Sequence, residues 1–478
     1  MSNPDAARDQ ARTQPVTKVA PQPWMVEPPT RVLFAALGQA GIVARFVGGC
    51  VRDVLLGRQI ADIDLATPAH PEEVVAALAK AGIKVVPTGI EHGTVTAVVN
   101  PPSNSGGPQR HFEITTLRRD VETDGRHARV AFDADWAEDA ARRDFTINAI
   151  YLDPDGTLYD PVGGLADLAA RRVRFVGEAA QRIAEDVLRV LRYYRFEARF
   201  GPDNGEGPGD PAARAACRAS VTLLPTLSAE RVAQELIRLL GAPNPVPSLR
   251  MMEADGVLAA ILPEATRIDR LERLIALETP TLPRLRRGSL PPPLAGEGRK
   301  GDARKLPPPQ AGEGRGGGLP DPICRLAALV AIDASGAAGV AERLRLSNAE
   351  RDRLVGLAPP WPLEFDPGAA DDARAQRQTL YRLGAERTRD LALLIAADGG
   401  IDEARLKALL ALAAGWTPPV FPLAGRDVTA LGIPPGPRIG HLLAEIKDWW
   451  EAGDFTADRA ACLAKLREIA AGSAGRVR

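Results

Sequence analysis

Two aspartates separated by a single residue are the first feature of the sequence with the means to do chemistry. Asp62 and Asp64 lie in a run, residues 60–66, whose alternating apolar and polar side chains predict a β-strand. Side chains two positions apart on a strand point to the same face, about 6.6 Å apart along the chain, so both carboxylates could bind a hard cation such as Mg²⁺. Taken alone, an acidic pair of this kind is more commonly solvated surface than a metal site.

A pair of glycines precedes these aspartates at a predicted junction between a strand and a helix. Gly48 and Gly49 follow the predicted strand 42–47, and Arg52 and Asp53 come shortly after them. Paired glycines let backbone N–H groups approach a phosphate closely, and the start of a following helix attracts anions, although a plain tight turn is the alternative. No G-x-x-x-x-G-K-[ST] pattern occurs, so this is not a Walker loop. The glycines favour a phosphate site beside the aspartates.

The elements that must position these residues divide the chain into two parts. Up to about residue 165, short strand-like runs alternate with helical stretches, namely strands 42–47, 60–66, 94–99 and 112–116 and helix 71–80. Beyond about residue 170 the strand pattern fades and helical periodicity dominates, in segments 178–199, 228–240, 246–260, 322–334 and 385–397. The sequence therefore predicts an α+β head followed by a mostly helical remainder.

Composition limits the class of protein. The chain has 478 residues, enough for roughly two to four packed units, and a formal net charge of −1. That balance argues against a surface coated with positive charge for nucleic acid, but it leaves local basic patches open. None of the four cysteines forms a CxxC pair, which argues against zinc knuckles and a disulfide framework. Neither a signal pattern nor a run of about 18 apolar residues occurs, so we expect a cytoplasmic protein without a membrane partner.

Two segments are predicted to stay outside the packed units. Residues 1–28 are polar, carry several prolines and resemble a mobile tail. Residues 290–299 and 306–315 read LPPPLAGEGR and LPPPQAGEGR, a near-repeat whose composition cannot bury enough apolar area to offset chain entropy. We therefore predict a disordered surface insertion over residues 286–320, with a docking site for a proline motif as the alternative.

Five segments of the chain form an ordered set of signatures. They are GGCVRDVLLGRQIADIDLAT (48–67), RRDFTINAI (142–150), YDPVGGLADL (159–168), EDVLRVLRYYRF (185–196) and LSAERVAQEL (227–236). Together they resemble the signatures of the class II tRNA nucleotidyltransferase and bacterial poly(A) polymerase family, in the family's order. The resemblance implies a catalytic head with a small mixed or antiparallel sheet, then an all-α neck, body and tail. In this chain the head would cover 29–170, the neck 171–242, the body 243–285, and a tRNA-binding body and tail 321–478.

The same resemblance implies two-metal catalysis. The 3′-hydroxyl of a tRNA would attack the α-phosphorus of a nucleoside triphosphate and release pyrophosphate, while two Mg²⁺ ions about 4 Å apart stabilise the attacking and leaving oxygens. Asp62 and Asp64 are then the metal ligands. Glu113, on a predicted strand of the same sheet, is a candidate third catalytic acid, with an ion pair to a cross-strand arginine as the alternative.

The same resemblance implies that residues 185–199 select the base. We predict that these residues continue a helix that begins just before them. Glu185, Asp186, Arg189 and Arg192 fall on the arc opposite an apolar stripe, although a solvated face with i,i+3 ion pairs would look the same. The resemblance makes Asp186 and Arg189 the nucleotide-reading pair. Cytosine and adenine place an amino donor beside a ring-nitrogen acceptor, which suits a carboxylate next to a guanidinium, whereas uracil and guanine present a carbonyl oxygen there.

Further nucleotide contacts are predicted around this pair. Arg143 and Asp144 belong to the run Arg-Arg-Asp-Phe, whose guanidiniums could bind the triphosphate or the ribose. Asn148 could contact the sugar or cap a helix. The predicted nucleotide-binding set is completed by Gly48, Gly49, Arg52, Asp53, Arg192 and Arg195.

Two stretches bear on the substrate. Residues 87–94 resemble the CCA-adding branch, and residues 118–132 resemble the flexible loop of members that add the final A, with Gly125 able to serve as a hinge. The C-terminus is short, unlike the basic extension typical of the poly(A) branch. We therefore expect addition of C, C and A from CTP and ATP to tRNA, with poly(A) synthesis and an inactive RNA-binding relative as alternatives. Candidate tRNA contacts, or plain solvated helix faces, are the arginine-bearing stretches 267–273, 343–353 and 374–382.

Overall fold

The computed structural model describes residues 14–60, 62–101, 109–124, 127–132, 135–202, 209–278, 321–362, 365 and 372–474. These residues form two compact units. The first contains the described residues up to Ala265, with Pro322 and Arg343–Leu346, and the second contains those of Thr266–Gly296, Ile323–Glu342 and Ser347–Arg478. The predicted insertion 286–320 lies outside the described residues, and the finer division into head, neck, body and tail stays a prediction.

An eight-stranded mixed sheet organises the first unit. In spatial order its strands are β1 (Pro15–Lys18), β10 (Thr157–Tyr159), β9 (Tyr151–Leu152), β2 (Arg45–Val47), β3 (Ile63–Thr67), β6 (Arg110–Thr116), β5 (Thr94–Val99) and β4 (Lys84–Gly89). β3 and β6 are parallel, and the other neighbouring pairs are antiparallel. A separate hairpin joins β7 (Arg119–Asp124) to β8 (His127–Ala131). The predicted α+β class, with the sheet in the N-terminal part of the chain, is confirmed.

Helices pack on this sheet and continue beyond it. Those of the first unit are α1 (Pro23–Val26), α2 (Pro28–Gln39), α3 (Gly49–Leu55), α4 (Pro71–Lys80), α5 (Trp136–Ala141), α6 (Gly164–Ala169), α7 (Ala179–Glu185), α8 (Leu188–Phe200), α9 (Pro211–Ala219), α10 (Ala229–Leu240), α11 (Val246–Ala254) and α12 (Val257–Ile261). The predicted strand 94–99 and helix 71–80 are confirmed as β5 and α4.

The second unit is helical throughout its described residues. Its helices are α13 (Ile268–Glu278), α14 (Pro322–Val330), α15 (Ala334–Arg343), α16 (Asn348–Gly356), α17 (Ala373–Leu383), α18 (Ala385–Ala397), α19 (Glu403–Gly415), α20 (Gly425–Thr429), α21 (Pro437–Ala452) and α22 (Arg459–Ala474). No single helix among the described residues is long and apolar enough to cross a membrane, although α14 and α15, with a 119° bend between them, meet the length and composition criteria together.

The strand that carries the predicted catalytic aspartates starts later than the sequence predicts. β3 begins at Ile63, so Asp62 lies in the segment before it and is exposed. Within β3 the alternation holds, because Ile63 and Leu65 are buried while Asp64 between them is partly exposed. The apolar side chains of β3 thus fix the strand in the core and leave the Asp64 carboxylate at an accessible face.

The predicted mobile tail 1–28 is wrong for its second half. β1 pairs with β10 at the edge of the sheet, and Met25 of α1 is buried. The Glu27 carboxylate accepts a hydrogen bond from Arg110 of β6 at 2.7 Å. One apolar anchor and one ion pair hold this proline-bearing segment against the first unit, whereas residues 1–13 lie outside the described part of the chain.

The predicted single helix through residues 185–199 is also wrong, because the chain forms two helices there. α7 ends at Glu185, Asp186 adopts an extended conformation (φ −155°, ψ 106°), and α8 begins at Leu188. The Asp186 carboxylate accepts a hydrogen bond from the backbone N–H of Leu188 at 3.1 Å. Aspartate side chains compete with the helical hydrogen-bond ladder in this way, so they favour helix starts over helix interiors. Asp186 and Arg189 therefore do not share one helical arc.

Several arginines of the second unit join its helices. Arg270 is buried, pairs with Asp398 at 2.7 Å and donates to the backbone oxygen of Ala327 at 3.1 Å. Arg382 of α17 pairs with Glu451 of α21 at 2.7 Å. Both arginines lie in stretches that the sequence offers as candidate tRNA contacts. Contacts between helices of the second unit are enough to explain why these two positions carry arginine. The tRNA-binding role of the stretches stays a prediction.

Candidate active site

The glycine turn before α3 faces a predicted catalytic carboxylate. Gly48 has φ 77° and ψ −131°, and Gly49 begins the helix. A Cβ atom added to Gly48 would lie 3.7 Å from Oδ2 of Asp64 and 3.8 Å from Nη1 of Arg143. The turn therefore brings the Gly48 backbone close to the Asp64 carboxylate and the Arg143 guanidinium, although these residues are well separated in sequence.

Replacing Gly48 with alanine should lower both stability and activity. Its φ of 77° lies in the region that side chains rarely adopt, so we expect a loss of about 1–3 kcal/mol in the free energy of unfolding. The measurement is urea-induced unfolding beside an assay of nucleotide incorporation. Gly38→Ala is the matched control, because Gly38 lies within helix α2 with nothing within 4 Å of its added Cβ, and alanine favours helices. Equal behaviour of the two variants would contradict the role given to the turn.

Three acidic residues lie near enough beside this turn to influence one another electrostatically. Asp64 in β3 and Glu113 in β6 pair in register across the two parallel strands, and Asp62 immediately precedes β3. Burial and the negative charges of Glu113 and Asp62 raise the pKa of Asp64 from 3.8 to about 6. Partial desolvation and Asp62 also raise the pKa of Glu113. The residue opposite Glu113 in β5 is Thr96, so the structure does not support the alternative of a cross-strand arginine.

The donor chemistry of this cluster suits a divalent cation. All three side chains offer carboxylate oxygens, which are the ligands that Mg²⁺ prefers. Burial and the negative charges of its neighbours raise the pKa of Asp64, and a bound cation would offset both effects by favouring the ionised carboxylate. Within the described part of the chain, no three His, Cys, Asp or Glu side chains already stand close enough together to hold a metal. The residues fit the ion chemically, but the ligand set is not preassembled.

The raised pKa of Asp64 predicts a pH-dependent stability difference. Because its folded-state pKa of about 6 lies above 3.8, protonation favours the folded chain, and this contribution is lost as pH rises from about 4 to 6. Without divalent cations, Asp64→Asn should therefore raise the melting temperature at pH 8 by roughly 2–4 °C, the shift produced by about 1 kcal/mol, and much less at pH 4. Equal melting temperatures of variant and wild type at pH 8 would show that the ionised Asp64 carboxylate does not destabilise the fold.

A chain of hydrogen bonds connects the glycine turn to α8. Arg52 donates to Asp53 at 2.9 Å and to the Asn148 side-chain oxygen at 2.7 Å. Asn148 donates to Asp144 at 3.1 Å, and Arg192 of α8 donates to the other oxygen of Asp144 at 2.8 Å. Burial would raise the pKa of Asp144, but Arg192 and Asn148 hold it at about 2. These five predicted ligands form a scaffold with one another, and their direct contacts to a nucleotide stay a prediction.

Arg143 is held in place by residues that the sequence reading missed. Asp139 is fully buried and accepts from Arg143 at 2.9 Å, from Arg142 at 3.0 Å and from the Tyr151 hydroxyl at 2.7 Å. Burial alone would raise the pKa of Asp139, yet the two arginines hold it at about 2. The signal was present in the sequence, because Asp139 lies three and four positions before the arginines, the spacing of neighbours on a helix.

Helix α10 supplies partners to two residues of the predicted base-reading segment. Arg231 pairs with Asp186 at 2.7 Å, and Glu235 pairs with Arg195 at 2.5 Å. Both partners lie in the signature segment LSAERVAQEL, but nothing in the sequence alone assigns a role to either side chain. The geometry indicates that α10 positions the Asp186 carboxylate.

Arg189 has a separate set of partners. Its Nη1 donates to Glu185 at 2.5 Å and to the backbone oxygen of Arg182 at 2.8 Å. Its side chain is only 14% exposed, compared with 26% for that of Asp186. The two predicted base-reading residues are close in sequence, but a separate ion pair holds each side chain in place.

The loop that resembles the flexible element of the family is a two-stranded hairpin anchored at its base. Arg118, before β7, donates to the backbone oxygen of His92. Phe132, after β8, packs over Gly93, which has a φ of 78°. A Cβ atom added to Gly93 would lie 2.5 Å from the Phe132 ring, so only glycine leaves room for the ring there. The proposed hinge Gly125 lies outside the described residues.

Two family models match the chain within residues 44–268, almost entirely in the first unit. The model described as "Poly A polymerase head domain" matches residues 44–174, and the one described as "Probable RNA and SrmB- binding site of polymerase A" matches residues 210–268. The first match runs from β2 to β10, so it includes the glycine turn and the three carboxylates.

Whole proteins show the same similarity. The mitochondrial CCA tRNA nucleotidyltransferase 1 of Danio rerio is 31% identical over 432 residues, which cover 89% of this chain and 87% of that protein. The CCA-adding enzyme of Streptococcus pyogenes serotype M2 is 42% identical over 214 residues, 44% of this chain and 49% of that protein. The crystal structure of the Bacillus stearothermophilus CCA-adding enzyme in complex with CTP aligns with a TM-score of 0.66 and 26% identity, covering 94% of this chain and all of that one. The similarity extends over nearly the whole chain.

Proposed function

The chain belongs to the CCA-adding tRNA nucleotidyltransferase family, and from that premise we propose that it adds C, C and A from CTP and ATP to the 3′ end of tRNA without a template. The observation that supports this most directly is the in-register pairing of Asp64 and Glu113 beside the Gly48 turn, with Asp62 just before β3. Nucleotidyl transfer needs ligands for divalent cations and a backbone that admits a triphosphate, and this cluster offers both.

In the proposed reaction, the 3′-oxygen of the tRNA forms a bond to the α-phosphorus of the nucleotide, and the bond from that phosphorus to the pyrophosphate oxygen breaks. Asp62 and Asp64 would hold the divalent cations, two Mg²⁺ ions in this proposal, with Glu113 as the third acid. When bound, such ions neutralise the charge that develops on the attacking and leaving oxygens. Arg143, whose guanidinium borders the turn, would bind a phosphate oxygen, because its charge is fixed at working pH.

Base selection falls to Asp186 and Arg189. The carboxylate would accept from the exocyclic amino group of cytosine or adenine, and the guanidinium would donate to the adjacent ring nitrogen. Arg231 and Glu185 hold the two side chains by ion pairs of 2.7 and 2.5 Å, so little rotamer freedom remains to be lost when a base binds. This preorganisation would let a protein pair select two bases without a nucleic-acid template.

The remaining parts of the proposal concern the tRNA and the compartment. The match of residues 210–268 to an RNA-binding family model supports tRNA binding by α9–α12. Binding by the second unit is proposed from the sequence resemblance. A cytoplasmic location is likewise proposed from the sequence, whereas the Danio rerio relative is named as mitochondrial.

The proposed function is tested by supplying the purified protein with tRNA that lacks its terminal CCA. CTP alone should add two residues, ATP alone should add none, and both together should add three. An RNA oligonucleotide of the same length that does not fold as tRNA should stay unextended. Long A tails on either RNA, without incorporation of C, would contradict the proposal and point to poly(A) synthesis.

A further inference from the structure

The last aromatic residue of α8 lies close to two arginines from the α3 region. The Phe200 ring is buried, and the guanidinium carbons of Arg52 and Arg58 lie 3.9 and 5.0 Å from its centroid. Cations at these distances are attracted to the face of an aromatic ring. Arg58 also donates through Nη2 to the backbone oxygen of Arg199 at 3.0 Å. That carbonyl belongs to the last turn of α8, where a cation complements the helix dipole.

These contacts join the two elements that the proposed function requires to act on one nucleotide. α3 begins at the glycine turn, and Arg58 follows shortly after its last residue, Leu55. α8 carries Arg189 and ends at Phe200. Towards its start, α8 is attached to the turn by the chain of hydrogen bonds that runs from Arg52 to Arg192. Arg58 and Phe200 supply a second attachment at the far end, so α8 is joined to the α3 region at two places along its length.

A row of aromatic rings extends from Phe200 into the interior of the first unit. The rings of Phe200 and Phe196 lie 5.3 Å apart, those of Phe196 and Phe145 lie 4.8 Å apart, and Phe145 lies 4.9 Å from Phe175. The row runs from the interior of the first unit to the two arginines. Phe175 is fully buried at its opposite end, so Phe175 is a matched aromatic position that does not share the arginine contacts of Phe200.

We propose that Arg58 and Phe200 form a clamp that sets the distance between the glycine turn and the base-reading arm of α8, and so act as positioning residues for the incoming nucleotide. The clamp rests on the proposed function, because it matters only if one nucleotide spans the turn and Arg189. Arg58 is exposed, so its removal leaves no buried hole. A change in that distance weakens nucleotide binding at both ends before it alters bond making, since the carboxylates of β3 and β6 lie on other elements.

The test measures KM and kcat for CTP with tRNA lacking CCA. Arg58→Ala should raise KM about tenfold and change kcat by less than about threefold. The KM of Arg58→Lys should lie between that of Arg58→Ala and that of the wild type, because lysine keeps the charge at the helix end but loses the planar stacking on the ring. Arg172→Ala is the matched control: this arginine lies in the same unit, is 50% exposed, and pairs with Asp167, which would still pair with Arg174 in the variant. It should leave KM unchanged.

A second pair of variants separates positioning from packing. Phe200→Leu and Phe175→Leu each remove a buried ring and should lower the melting temperature to a similar extent, but only Phe200→Leu should raise KM for CTP. Equal KM values for Arg58→Ala and wild type, or equal KM changes for the two leucine variants, would overturn the clamp alone. Absence of CMP incorporation by wild type would overturn the proposed function and the clamp with it.

Discussion

Replacing Asp62 with alanine should abolish nucleotide incorporation, lowering the rate about a thousandfold or more while leaving tRNA affinity within about twofold. The predicted loss corresponds to about 4 kcal/mol of transition-state stabilisation, within the several kcal/mol that a catalytic metal ion supplies. Asp62 is exposed and precedes β3, so its truncation should not disturb the core. The negative charge of Asp62 contributes to the raised pKa of both Asp64 and Glu113. The measurement is single-turnover incorporation of CMP into tRNA lacking CCA, with tRNA affinity measured separately by filter binding.

Asp155→Ala is the control for the loss of one carboxylate. Asp155 lies in the same unit, in the turn between β9 and β10, with its side chain 60% exposed and paired with Lys18 at 2.7 Å. It should retain wild-type incorporation. Activity retained by Asp62→Ala would contradict the assignment of Asp62 to the metal site, and an equal loss of tRNA affinity would assign Asp62 to RNA binding instead.

Replacing Asp186 with asparagine should relax the choice of base. A carboxylate only accepts hydrogen bonds, whereas a carboxamide also donates and can therefore match the carbonyl oxygen that uracil presents where cytosine has an amino group. Loss of a hydrogen bond to a charged group costs about 1.5–3 kcal/mol, so kcat/KM for CTP should fall roughly 10- to 100-fold. The ratio of kcat/KM for CTP to that for UTP should fall by at least the same factor. Competition between CTP and UTP on one tRNA measures this ratio directly.

Asp153→Asn is the control for the second experiment. Its side chain is 25% exposed and pairs with Arg45 at 3.1 Å, close to the 26% exposure of Asp186 and its 2.7 Å pair with Arg231. The preference for CTP over UTP should survive this substitution. If Asp186→Asn keeps the wild-type preference, base selection belongs to other residues, and a similar loss of preference in both variants would indicate a general loss of structure.

The residues of the proposed metal site could be identified as candidates from the sequence, because their signals are local. A glycine pair and two aspartates, one on β3 and one just before it, lie within about twenty residues of one another. Five ordered signatures identify the family, as the similarity to CCA-adding enzymes confirms. The burial of Ile63 and Leu65 around Asp64 follows from the same alternation. Glu113 could be proposed only as a candidate, since its register opposite Asp64 is a property of the folded sheet.

The contacts that hold the proposed base-reading residues could not be predicted in the same way, because they form between side chains that meet across the fold. The hydrophobic periodicity predicts one helix through this segment. In the structure the helix is interrupted at Asp186, whose carboxylate accepts a hydrogen bond from the backbone N–H of Leu188. Arg231, which holds Asp186, lies 45 residues further along the chain. Arg58 and Phe200 likewise come together only when α3 and α8 do. Contacts of this kind leave no periodic trace in the sequence, so they emerge only from the structure.

The central claim is that one site transfers nucleotides and selects C and A without a template. It is tested most directly by giving the wild-type protein all four nucleoside triphosphates at equal concentration with tRNA lacking CCA, and sequencing the 3′ ends that result. We predict ends that read C-C-A and extend no further. Long A tails, or U and G incorporated as often as C and A, would contradict the claim.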